Sequence, residues 1–131
     1  MVSKTNEQAL EASIEKYLTG TCLEEQAAIR DNAAFIRRVD ETEGGFARRI
    51  ADWPVEDFAG LLDWLQKNGS RLGGNTGAYM LRVMGKESFI LSGDVVARLQ
   101  AEGVISGAPG SQKAMAAVQA AFNHWRAESG H

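Results

Sequence analysis

Apolar positions recur at helical spacing along almost the whole chain, and no stretch reads convincingly as a strand. Leu10, Ile14, Tyr17 and Leu18 form the first stripe, opened by Thr5 and Gln8 as a capping box and closed by Gly20. The spacing predicts a second helix from about Leu23 to Thr42, with Ile29, Ala33, Ile36 and Val39 on one face, broken at Gly44-Gly45. Phe46 and Ile50 belong to a short helix before Trp53-Pro54. Pro54 suits the first turn of the next helix, which carries Phe58, Leu61, Leu62 and Leu65 and stops at Asn68-Gly69. Ser70 to Asn75 is turn chemistry, and Thr76 to Met84 is helix again, ended by Gly85. Ser92 caps a helix that reaches Glu102, with Val95, Val96 and Leu99 apolar. Ser111 caps the last helix, where Met115, Val118, Phe122 and Trp125 share a face. The expected fold is all-α, a compact domain of about seven helices without internal repeats. A break in composition near Gly20-Thr21-Cys22 divides residues 1–22, read as an N-terminal helical appendage, from a main domain over 23–131.

The stretch SRLGGNTGAYMLR, residues 70–82, places three glycines, an Asn and a Thr between two strongly apolar helices. This predicts a helix-hairpin-helix unit. Glycine accepts positive φ and lets another backbone come close. Two readings of the turn stand. In one, the N–H groups ahead of and within the second helix point outward and hold an anion at the positive helix end. A DNA phosphate would then sit on Gly73, Gly74, Asn75, Thr76 and Gly77, with Lys67, Arg71 and Arg82 on neighbouring phosphates. In the other, the glycines only permit a tight αα-corner and nothing binds.

Charge bears on this choice. The net charge is −3, which argues against strong binding of polyanions by bulk attraction. The distribution is uneven: residues 1–63 hold 7 Lys/Arg against 13 Asp/Glu, whereas residues 64–98 hold 5 against 2. The local excess surrounds the glycine turn and is either a basic face or a routine fluctuation among solvated side chains. The chain is 44% hydrophobic, ordinary for one soluble domain of 131 residues. No apolar run approaches the roughly 20 residues of a membrane span. The N-terminus is polar, with no signal-peptide core. The single Cys22 excludes an internal disulfide, and one Cys with two His does not make a structural zinc site. A cytoplasmic protein without cofactor, metal or membrane association is expected.

The sequence SRLGGNTGAYMLRVMGKESFILSGDVVARLQAEGVI, followed by KAMAAVQAAFNHWRAESG, resembles the C-terminal part of enzymes of the DNA-3-methyladenine glycosylase I type. These belong to the helix-hairpin-helix DNA glycosylases. IRDNAAFIRRV and FARRIADWP resemble the segments that lead into that part, so the resemblance covers about Ile29 to Gly130. It implies an all-α fold, a hairpin that grips the DNA backbone, and excision of an alkylated base. The departures are as informative. Family enzymes run much longer before this region, through a segment that supplies many residues of the base pocket. Here that place is taken by MVSKTNEQALEASIEKYLTGTCLEEQAA. The family continues beyond the position of His131, and the zinc ligands of some relatives have no counterpart.

Asp94 in SGDVVARL is the candidate catalytic carboxylate, because the resemblance puts an Asp at the start of the helix after the hairpin. Such a group stabilises the positive charge that builds on the sugar as the glycosidic bond breaks. An acidic residue in a first helical turn also simply favours the helix dipole. Trp53, Trp64 and Trp125 are read as core, although they could stack on bases, and Tyr79 is read as packing. His124 is read as a surface residue, and Cys22 has no neighbour that would activate it. The leading expectation is a glycosylase-derived DNA-binding module, catalytically weak or inactive. Its partner is double-stranded DNA, damaged or intact. One alternative is an active alkyl-base glycosylase completed by dimerisation. Another is a structural or interaction protein that has lost DNA binding. Helix faces that the absent family segment would cover imply a homodimer.

Overall fold

The computed structural model describes residues 7–11 and 23–130. Every regular element among the described residues is helical. After a helical turn at 7–11 come α1 (Leu23–Thr42), α2 (Phe46–Asp52), a 3-10 turn (Val55–Asp57), α3 (Phe58–Asn68), α4 (Gly74–Val83), α5 (Gly93–Ala101) and α6 (Gln112–Ser129). The all-α class follows directly. The N-terminal capping box, most of the stripe after Leu10, and Cys22 lie outside the described residues, as does most of the expected N-terminal unit.

Helix ends follow the local chemistry in most places. The Ser92 hydroxyl accepts from the Val95 N–H at 3.4 Å, and the Ser111 hydroxyl from the Ala114 N–H at 3.0 Å. Each satisfies one of the donors that a helix start leaves without a partner. The start of α2 is served from outside: Asp40 Oδ1, on α1, accepts from the Phe46 N–H at 2.7 Å.

Two apolar clusters hold the helices together. The larger joins α1 to α4 through Phe35, Val39, Phe46, Ile50, Phe58, Leu61, Leu65, Ala78 and Leu81. The smaller joins α5 and α6 through Leu99, Ile105 and Val118. Leu61, Leu65 and Leu81 are fully buried, and each stabilises the fold by about 1.5–3 kcal/mol relative to an exposed position. Phe89, in the irregular segment between α4 and α5, packs against both clusters. Its ring lies edge-on to Phe58 at 4.9 Å and stacks on Phe122 at 4.7 Å.

The face expected to bury α1 is only partly right. Val39 is buried, but Ile29 is 56% exposed, Ile36 is 37% exposed and Ala33 is exposed. The inward face runs Ala28, Asn32, Phe35 and Val39 instead. Both faces of α1 are apolar enough to satisfy the helical period, so periodicity alone does not select one. All three tryptophans pack against the clusters, as expected. Trp53 and Trp64 also flank Arg49, whose guanidinium carbon lies 5.5 and 4.9 Å from their ring centroids.

Side chains from α6 clamp the start of α3. Gln119, nearly buried, accepts from the Ala59 N–H at 2.8 Å and donates to Asn123 Oδ1 at 3.0 Å. Asn123 in turn donates to the Glu56 carbonyl at 3.0 Å. Arg126 lies between Glu87, at 3.2 Å, and Glu56, at 3.9 Å.

Candidate functional site

The turn between α3 and α4 is built by close approach. The Gly69 N–H closes α3 on the Leu65 carbonyl at 2.8 Å. A Cβ at Gly77 would lie 2.4 Å from the Leu72 carbonyl oxygen, so only glycine lets α4 settle against the turn there. Gly77 is buried. Gly74 differs: it is exposed, has φ of +58° and faces open space.

Helix α4 begins at Gly74, two residues earlier than the turn chemistry predicts. Its N-cap is Gly73, which has no side chain to accept from the first turn. The main-chain N–H groups at the start of α4 therefore lack a side-chain cap, on a surface formed by the exposed Gly74, Asn75 and Thr76. The Asn75 side chain is committed elsewhere and donates to the Leu91 carbonyl at 3.0 Å. The turn is pinned from α1 as well. Asn32 Nδ2 donates to the Ser70 carbonyl at 2.8 Å, and Asn32 Oδ1 accepts from the Ser70 N–H at 2.6 Å. Arg71, next in the chain, has φ of +58°.

The cations around the turn are less available than their number suggests. Lys67 pairs with Asp63 at 2.7 Å. Lys86 donates to the carbonyls of Ala51 and Trp53 at the C-terminal end of α2. Arg98 pairs with Glu102 one helical turn away. Arg82 is exposed in the last turn of α4, about 12 Å along the helix axis from Gly74. The structure thus gathers Arg71, Gly73, Gly74, Asn75 and Thr76 at one end of α4, puts Arg82 at the other, and uses Gly77 for packing.

Asp94 is exposed in the first turn of α5. It does not line the main cleft, an open space of about 830 Å³ between α3, the start of α4, the loop before α6 and α6 itself. That cleft has an apolar floor including Leu62, Ala78, Phe89, Leu91 and Met115, with Asp57 and Asp63 on its walls. No Lys, Arg or His lines it. Tyr79, read as a packing residue, is 54% exposed, because the buried face of α4 is the one carrying Gly77, Ala78 and Leu81. His124 is a surface residue 3.4 Å from Glu128. Among the described residues no group of three or more His, Cys, Asp and Glu is arranged to hold a metal. None of the described helices is long and apolar enough to cross a membrane.

Asn32 and Gln119 are the residues that sequence reasoning missed. Asn32 carries a faint signal, a polar residue in register with Ala28, Phe35 and Val39. Gln119 carries none locally, since the group it satisfies lies 60 residues away. No family model, no curated protein and no solved structure matches the chain.

Proposed function

We propose that this chain is a DNA-binding module that engages the duplex backbone through the turn between α3 and α4 and the first turn of α4. The observation that carries the reading is the exposed, side-chain-uncapped start of α4. Its N–H groups and the positive end of the helix suit a phosphate oxygen. Such contacts hold a protein on DNA without reading its sequence. The glycosylase resemblance gives the same residues the same role.

The proposal is of binding without base release. A carboxylate that stabilises a sugar cation works best in a water-poor site, whereas Asp94 is exposed and stands outside the main cleft. A homodimer belongs to the proposal because Ile29, Tyr79 and Val83 present apolar surface to solvent. Light scattering that shows a monomer at high concentration counts against that part.

The test is fluorescence anisotropy with a labelled duplex carrying an abasic-site analogue, at low and moderate salt. Binding that weakens with salt, and is lost in a Gly74→Asp/Arg71→Glu variant, is the expected result. A protein that is folded by circular dichroism but does not bind at either salt refutes the proposal. That second outcome would favour a structural or interaction protein. The burial of Gly77 and the engagement of Lys67, Lys86 and Arg98 support that alternative.

A further inference from the structure

The main cleft between α3 and α6 has no part in the DNA-backbone reading. Its volume of about 830 Å³ is that of a small-molecule site, and an apolar floor with few polar groups is the usual lining of one. The charge of this lining is one-sided. Asp57 and Asp63 stand on its walls, and no Lys, Arg or His is there to answer them. The side-chain amides that could donate are committed: Asn75 to the Leu91 carbonyl, Gln119 to Asn123, and Asn123 to the Glu56 carbonyl. Asp63 pairs with Lys67 on the same helix, and an exposed pair of this kind is weak enough to exchange.

Asp57 carries the argument further. It stands just before α3, where an aspartate usually caps, yet it makes no capping bond. Gln119 supplies the cap instead, by accepting from the Ala59 N–H. The Asp57 carboxylate is turned over the face of α3 at Gly60, where a Cβ would fall on its oxygens. Gly60 lines the cleft as well. The Trp53 indole N–H holds the carboxylate at 3.1 Å. The group therefore stands on the cleft wall with a neutral donor beside it and, among the described residues, no cation paired to it. The start of α4, whose N–H groups suit an anion, meets the cleft at its other end. There Gly73 packs on Gln66, about 13 Å along α3 from Asp57.

We propose that the main cleft binds a small organic cation, an amine with an apolar body. The ammonium sits on the Asp57 carboxylate beside Gly60, and the body lies on the floor of Leu62, Phe89 and Met115. A charged hydrogen bond at the edge of an apolar floor is stronger than the same bond in open water. Phosphates and carboxylates find no cation in this lining, so the cleft selects by charge against the ligand of the turn before α4. The inference stands apart from the DNA reading, because it uses no phosphate contact.

The experiment titrates the full chain with phenylpropylamine and follows the Met115 methyl by NMR, assigned with Met115→Leu. Phenylpropanol and phenylpropionate are the neutral and anionic counterparts. The amine is expected to shift the methyl with a Kd on the order of 1 mM. The alcohol should bind about tenfold more weakly, and the acid should not bind. Asp57→Asn keeps the shape of the side chain and an acceptor for Trp53. It should weaken the amine about tenfold and leave the alcohol unchanged. Where Asp57→Asn does not fold, Gly60→Ala, which must displace the same carboxylate, takes its place. Equal affinity for amine and alcohol overturns the inference, as does an amine affinity that the variant leaves unchanged. No shift of the methyl at about 20 mM amine overturns it as well. A blocked Lys-Leu-Leu peptide that binds more tightly than the amine would make the cleft a peptide groove and overturn the small-molecule assignment. None of these outcomes bears on duplex anisotropy, so the two proposals fail separately.

Discussion

Replacing Gln119 with Leu tests how the two halves of the molecule are joined. Gln119 projects from α6 and accepts from the N–H of Ala59, in the first turn of α3. That turn has no side-chain cap of its own, since the residue before it, Asp57, makes no capping bond. The amide of Gln119 is a cap delivered from 60 residues away. Leucine of similar size keeps the packing of a side chain that is only 8% exposed, but leaves the Ala59 N–H without its partner. An unmade bond at a partly buried donor costs about 1–3 kcal/mol, and loss of the Asn123 bond adds little because Asn123 can turn toward water. The expected loss is about 2 kcal/mol, or about 8 °C in melting temperature for a domain of this size. Calorimetry, with urea denaturation followed by far-ultraviolet circular dichroism, measures both quantities. Gln112→Leu, at an exposed site on the same helix, is the control and should shift melting by less than about 2 °C. A Gln119→Leu protein that melts with wild type would refute the argument that this amide caps α3.

Three further substitutions probe other positions. Gly77→Ala drives a methyl group toward the Leu72 carbonyl and should cost about 1–3 kcal/mol, whereas Gly93→Ala, with nothing within 4 Å, should be neutral or slightly stabilising; paired chemical melts distinguish them. Lys86→Met removes a cation from the carbonyls of Ala51 and Trp53 and should cost about 1–2 kcal/mol in urea midpoint analysis, and a wild-type midpoint would show that solvent replaces the ammonium without loss.

The helices were legible in the sequence because their stops are chemical. Ser92 and Ser111 cap where their hydroxyls predict, and Gly85, Gly103 and Gly130 end helices at positive φ. The early start of α4 was less visible, since Gly73 caps without a side chain and so without a sequence signature. The orientation of α1 was not legible: Ile29, Ala33 and Ile36 obey the helical period as well as Ala28, Phe35 and Val39 do. The choice is made by tertiary contact, where Phe35 meets Phe46 and Trp64 and Asn32 meets Ser70. At the candidate site, local spacing identified which residues gather at the start of α4. It could not show that Lys86 is engaged elsewhere, because a bonded carbonyl depends on where another element lands, whereas the Arg98–Glu102 pair follows from i,i+4 spacing on one helix.

The segment between α4 and α5 has no regular structure, yet its Phe89 is the one ring among the described residues that touches both apolar clusters. Irregular segments usually accept extra residues at small cost, since closing a longer loop adds little entropy. That permission does not extend here. An insertion beside Phe89 would withdraw its ring from Phe58 and Phe122 at once and separate the α1–α4 half from the α5–α6 half. The exposed loop at Ser106–Gly110, where Gly107 and Gly110 face open space, is where the chain tolerates lengthening. Of the two connections, only this one is a place where a tag, a second domain or an evolutionary insertion can enter without dividing the core.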